Sequence, residues 1–152
     1  MNKGKIEEIL YKGLKSIVSS DNASSNPMLS PALSGKVYYQ DTRPVQNETD
    51  ESVKEDIVVS VPAGNNSQLQ SGSCIVNIYV PDTLTASGSY MRAKGRTDMI
   101  EEWANTLPQK LNRLGDIYFT RSSMVVTLKE ESIHQHFVSL KMDFKLLNED
   151  FD

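Results

Sequence analysis

The spacing of apolar residues switches between helical and alternating along the chain, and each switch marks an element. Ile6, Ile9, Leu10, Leu14, Ile17 and Val18 recur at steps of three and four, the stripe of an amphipathic helix that stops at Ser19. Gly13 lies inside it and costs about 1 kcal/mol relative to Ala, so tertiary packing must hold this helix. Residues 19–35 hold six serines, two asparagines and two prolines and read as a long polar loop. Residues 36–41 form a short strand with Val37 and Tyr39 on one face and Tyr38 on the other, ended by Pro44, which has no N–H to donate. A second polar loop spans 42–56. The β-branched run at 57–61 predicts a strand covered on both faces. Residues 74–81 alternate cleanly, with Cys74, Val76, Ile78 and Val80 on one face and Ile75, Asn77 and Tyr79 on the other. The polar stretch 63–73 between these two strands predicts an extended hairpin arm.

The helical period returns with Met99, Trp103, Leu107, Leu111 and Leu114. Asp98 and Glu101 fit a capping box, which starts the regular helix near Asp98 or leaves an irregular first turn from Tyr90. Pro108 kinks it or opens a new turn, and Gly115 stops it. Residues 116–129 are extended and broken at the polar Arg121–Ser122–Ser123. In the last segment, 133–147, Val138, Leu140, Met142, Phe144 and Leu146 point one way and Ser139, Lys141, Asp143 and Lys145 the other, a sheet with one wet face. A turn at 130–132 joins the two as a hairpin. The resulting expectation is an α+β fold. It is one domain over 1–152, with an antiparallel sheet of four to five strands, two helices packed on one face, long hairpin loops and a C-terminal tail at 148–152.

Composition narrows the chemistry. Apolar residues make up 38% of the 152, a modest core carrying long polar loops, and the formal charge of −4 argues against tight nucleic-acid binding. The single cysteine excludes an internal disulfide framework and a multi-cysteine zinc site. Glu7 and Glu8 interrupt the start MNKGKIEEIL, which does not read as a secretory signal, and no apolar run reaches the ~18–20 residues of a membrane span. His134 and His136 share a side if extended, half of a metal site at most, and the plainer reading is two polar residues at the start of a strand. Cys74 heads an apolar strand face, where a free thiol behaves as a small hydrophobe. Trp103 sits on the apolar stripe of its helix and reads as core rather than as a base-stacking platform. No G-x-S-x-G, phosphate-cradling or H-E-x-x-H motif is present. Two charge clusters stand out. Glu48, Asp50, Glu51, Glu55 and Asp56 crowd the 46–56 stretch, and Arg92, Lys94 and Arg96 precede the second helix.

The layout resembles the tail terminator (tail completion) proteins of long-tailed bacteriophages and the neighbouring head–tail joining proteins. The resemblance rests on the N-terminal amphipathic helix, a strand ending in Asp41-Thr-Arg-Pro44, a loop-bearing strand pair whose second member is CIVNIYVPD, the helix ending in Leu111 and Leu114, and a final hairpin in which His136 opens HFVSLKMDFKL. It covers roughly residues 1–147, most strongly from Ser73 onward. The serine-rich loop and the acidic 46–56 loop depart from the family's pattern. The resemblance implies a structural virion protein with no catalytic residues, cofactor or metal. Its subunits would close into a ring, generally hexameric, that caps the tail tube and joins tail to head. The implied partners are other copies of the chain, the tail tube protein and a neck or head-completion protein. DNA would pass through without specific binding, and no membrane is involved. Such a protein would be made in the host bacterial cytoplasm and end at the tail–head junction of the virion. The five acidic residues are then candidates to line the lumen or a docking loop, where negative charge repels phosphate. Arg92, Lys94 and Arg96 are candidates for a basic contact patch. A head–tail connector or neck adaptor is the alternative within the same class. A small nucleic-acid-binding module using the 92–96 cations, and a small enzyme with a pocket at His134, His136 and Cys74, are the alternatives outside it.

Overall fold

A computed structural model describes residues 2–23, 29–44, 46, 54–62, 71–130 and 132–147. In chain order its elements are α1 (Lys3–Ala23), β1 (Val37–Tyr39), β2 (Ile57–Ser60), β3 (Ser71–Pro81), β4 (Thr83–Leu84), β5 (Tyr90–Met91), α2 (Lys94–Leu111), β6 (Arg113–Leu114), β7 (Ile117–Arg121), β8 (Val126–Glu130) and β9 (Gln135–Leu146). The longest strand, β9, organises the sheet. One edge of it pairs with β3 from Ser71↔Lys145 to Pro81↔Gln135. The other edge is shared, with β7 along its C-terminal half and β8 along its N-terminal half. The order β1-β2-β3-β9-β7-β6, with β8 beside β9, makes a seven-stranded sheet, and β4 and β5 form a separate two-stranded ribbon.

The α+β class and the two helices agree with the sequence pattern, but the strand count rises from four or five to seven. One reason is that the 116–129 segment divides into β7 and β8 around Ser122, whose N–H still reaches the Lys141 carbonyl at 2.9 Å. The other is that the two-residue strand β6 extends one end of the sheet. The pair β1–β2 is parallel, an exception to the antiparallel expectation.

Alternation sets the faces as the sequence indicates. Cys74, Val76, Ile78 and Val80 of β3 and Val138, Leu140, Met142 and Phe144 of β9 are buried under the helices, while Lys141, Asp143 and Lys145 are exposed on the other face. Ile6, Leu10, Leu14 and Val18 of α1 join Ile100, Trp103, Ala104, Leu107 and Leu111 of α2 in the same hydrophobic cluster. Burial of this stripe, rather than propensity, stabilises each helix.

The sheet curls until its outermost strands, β1 and β6, both touch α1. At one end Tyr11 stacks on Tyr39 of β1, with centroids 4.2 Å apart and planes 19° from parallel. At the other end Gly13 explains its own presence, since a Cβ there would lie 2.6 Å from Leu114 Cδ1 of β6. α1 also runs past Ser19 to Ala23 because its last turn is tied down. Trp103 Nε1 and Lys110 Nζ of α2 donate to Asp21 Oδ2 at 2.8 and 2.6 Å, and Leu33 N donates to Asn22 Oδ1 at 3.2 Å.

α2 begins at Lys94, four residues before the expected cap. Asp98 does not cap it; its carboxylate pairs back to Lys94 Nζ at 2.6 Å, one helical turn away. The first turn closes through Thr97, whose N–H bonds the Ala93 carbonyl at 2.9 Å and whose hydroxyl bonds the Lys94 carbonyl at 3.1 Å. The helix passes through Pro108 and ends at Leu111, ahead of Gly115. Asn112, at φ +30°, turns the chain, and Gly115, at φ +61°, serves the β6–β7 hairpin instead.

Helix propensity and packing make opposite predictions at Gly13. Propensity alone gives Gly13→Ala a gain of about 1 kcal/mol. Packing against Leu114 should remove that gain and make Gly13→Val destabilising by about 1–3 kcal/mol, read from urea unfolding midpoints.

Candidate functional site

Three features gather the sequence-predicted residues, and the first withdraws several of them from the surface. Asp56 is 1% exposed. Its Oδ1 accepts from Lys36 N at 3.0 Å and its Oδ2 from Arg43 Nε at 3.1 Å. The Arg43 guanidinium also donates to Gln135 Oε1 at 3.0 Å and lies over the Tyr79 ring, 4.0 Å from its centroid. Glu55 holds Arg96 in a two-point pair, at 2.6 Å from Nε and 2.8 Å from Nη2. Ser34 and Glu55 exchange bonds, each backbone N–H donating to the other's side chain, at 3.3 and 3.0 Å. Gly35 passes so close that a Cβ would fall on Asp56 Oδ1 and the Glu55 carbonyl.

This clasp ties the segment around Ala32–Arg43 to the sheet and to the start of α2. It corrects the charge-cluster reading, because Glu55 and Asp56 are spent inside the fold and Arg96 is not free to join a contact patch. Glu48, Asp50 and Glu51 lie outside the described residues. Charge density alone did not reveal which acids meet cations, since the partners lie 13 and 41 residues away.

The second feature is the β4–β5 ribbon that projects after β3. Its turn is closed by Gly88 at φ +87° and by the hydroxyls of Thr85, Ser87 and Ser89, which bond one another. The ribbon exposes Leu84 at 58% and Met91 at 56%, with Tyr90 also exposed. Both histidines of the chain fasten it to the body. Tyr90 stacks on His134 at 3.7 Å between centroids, with planes 6° from parallel, and Asp82, just before β4, meets His136 Nδ1 at 2.6 Å. The two imidazoles therefore act on different partners and do not converge as half of a metal site. Among the described residues no group of three His, Cys, Asp or Glu side chains is arranged to hold a metal ion. Directly after the ribbon, Arg92 and Lys94 remain at the surface.

The third feature is the edge strand β8. It has β9 on one side and, among the described residues, no strand on the other. The Thr127 hydroxyl turns under α2 to bond Glu101 Oε2, so the strand's alternation directs Val126 and Leu128 to the opposite face. Leu128 is 47% exposed and neighbouring Met124 is 78% exposed. The sequence signal for this edge was the apolar run Met124–Val126 within a segment otherwise read as one half of a hairpin.

Elsewhere the face of the sheet away from the helices carries an open groove of about 540 Å³ lined by Ser71, Ser73, Tyr118, Thr120, Asp143 and Lys145. Cys74 lies in the core, and burial pushes its thiol up to about 12, with the Asp143 charge adding a smaller push.

No family model matches the chain and no curated protein matches it. One solved structure, of a protein carrying only a serial designation, is 17% identical over 93% of this chain and 92% of its own, with a TM-score of 0.45. A likeness at that level carries no argument about either chain.

Two outcomes follow from these environments. Arg43→Met should destabilise the fold by about 3–5 kcal/mol, because it leaves the Asp56 carboxylate buried without its cation; chemical denaturation reads this directly. Cys74 should resist an aromatic disulfide reagent at pH 8 in the native protein and react fully in denaturant. The folded-state thiol holds its proton above the ordinary value of 9.0, so its contribution to stability is intact below about pH 9 and lost as pH rises toward 12.

Proposed function

We propose that this protein is a structural virion subunit that closes with copies of itself into a ring, acting as the tail terminator of a long-tailed phage and joining tail to head. The observation that carries the reading is the pairing on one small subunit of two exposed apolar surfaces that differ in kind: the β8 edge with Met124, Val126 and Leu128, and the projecting ribbon with Leu84, Tyr90 and Met91. A closed ring needs a patch that meets a different patch on the next copy. A free strand edge supplies backbone donors and acceptors for a neighbour's chain, and exposed apolar side chains beside it add burial. Monomers that work alone rarely leave such an edge uncovered.

The ring works by geometry. It occupies the growing end of the tube, hides the surface that the next tube ring would use, and leaves a hole for DNA. Within this reading Glu48, Asp50 and Glu51 are the remaining candidates for an acidic lining that repels phosphate. The fixed groups support a scaffold better than an enzyme, since the thiol is held protonated in the core and the two imidazoles are engaged in holding the ribbon.

The reading is tested by solution mass with negative-stain imaging, alone and with isolated tail tubes. Rings, free or seated on tubes in the absence of heads, are the expected result. Attachment to heads alone would assign the chain to the neck instead. The double variant Val126→Asp with Leu128→Asp should abolish ring closure while leaving the circular dichroism spectrum and unfolding midpoint unchanged. A wild-type chain that stays monomeric with and without tubes overturns the reading.

A further inference from the structure

The ribbon sits at one end of β9 and Leu147, the last described residue, follows the other end; the segment 148–152 lies outside the described residues and is chemically complementary to the ribbon. The tail, residues 148–152, carries Glu149, Asp150 and Asp152 around Phe151. The ribbon presents Leu84 and Met91 to solvent, and directly after it come two exposed cations, Arg92 and Lys94, the second already sharing its charge with Asp98 at 2.6 Å. We propose that residues 148–152 of one copy dock on the β4–β5 ribbon of the next, with Phe151 against the ribbon's apolar side chains and the carboxylates on Arg92 and Lys94. This rests on the ring reading and names one of its contacts.

Reach decides that the contact is between copies. The tail starts after Leu147, which is held by its N–H to the Asp116 carbonyl at 2.6 Å. The ribbon is fastened at the opposite end of β9, at His134 and His136. The twelve residues of β9 span about 36 Å at ~3.3 Å each. Five residues of tail extend at most about 17 Å. The tail therefore cannot meet the ribbon of its own copy, but it can meet that of a neighbour presented head to tail. Such a contact joins two different surfaces, as ring closure requires.

Charge also selects this occupant over others. An apolar ribbon beside Arg92 and Lys94 is less well matched to a second ribbon of the same charge than to an acidic segment with one aromatic anchor.

A charge-swap on the full chain tests it. R92E/K94E makes the ribbon end acidic, and E149K/D150K/D152K makes the tail basic. Each variant alone should associate about tenfold more weakly than the wild type, and a one-to-one mixture should regain association, because every tail then finds a ribbon of opposite sign. Arg92 and Lys94 are exposed, and unfolding midpoints check that both variants fold. A fluorescent peptide of residues 147–152 should bind the wild-type chain, lose affinity on R92E/K94E and weaken as salt rises. If the variants assemble like the wild type, or the mixture fails to recover, this contact is overturned while the ring reading stands. If the wild type never assembles, the ring reading falls, and the peptide then decides the docking alone, with absence of binding overturning it.

Discussion

The register between β3 and β9 is the constraint on which the rest of the molecule depends. Eleven residue pairs run without a break from Ser71↔Lys145 to Pro81↔Gln135. Because the side-chain period of a strand is two, a slip of one residue would turn Val138, Leu140, Met142 and Phe144 out to water and Lys141 and Asp143 into the core. With that register set, the free edge of β9 is divided between β7 and β8, and the break between them leaves β8 as a short outer strand. The same register places the ribbon beside the start of β9, because β3 ends opposite Gln135 and the chain runs straight on through Asp82 into β4. Both candidate interaction surfaces are thus consequences of one ladder.

Electrostatics plays a second, internal role. Buried ion pairs rarely add net stability over well-packed apolar side chains, since desolvating both charges offsets most of their attraction. What the Arg43–Asp56 and Arg96–Glu55 pairs provide is placement. Each joins residues distant in sequence, and each fixes a stretch with no regular structure against the body. Arg43 lies over the Tyr79 ring while bonded to Asp56 and Gln135, so one guanidinium satisfies a carboxylate, an amide and an aromatic face together. With Glu55, Asp56 and Arg96 spent internally, the exposed cations beside the ribbon are Arg92 and Lys94, and Lys94 is paired with Asp98 one helical turn on.

Long periodic segments were legible from residues alone, and short or polar ones were not. The stripes of α1 and α2, the alternation of β3 and β9, the division of the 116–129 segment and the burial of Trp103 and Cys74 all follow from spacing. The ends of α1 and the start of α2 do not, because Asp21, Asn22 and Thr97 hold those turns through bonds that leave no periodic trace. The two-residue strands β4, β5 and β6 are too short to show a period and exist because neighbours supply their ladders. Gly13 was legible only as a cost to its helix and Gly35 only as the end of a polar loop, whereas both mark close approaches of distant segments. Of the residues singled out by charge, sequence located the clusters, but only the fold separates those spent on internal pairs from those left at the surface.

A two-stranded ribbon of this size does not persist by itself in water. With two residues in each strand, β4 and β5 have too few ladder bonds to offset the entropy of ordering the turn. Its persistence must come from outside the ribbon, and the contacts are identifiable: the Tyr90–His134 stack, the Asp82–His136 pair and the bond from Asp82 N to the His134 carbonyl. All three converge on the three-residue stretch at which β9 begins. The apolar side chains of the ribbon are therefore presented at a fixed position relative to the sheet rather than on a loose arm. A contact made there meets a surface already ordered, so association does not bear the full entropy of organising it. In the proposed ring a fixed ribbon would set the angle to the next copy, and a constant angle between successive copies is what lets a chain of subunits close into a ring instead of growing into a filament.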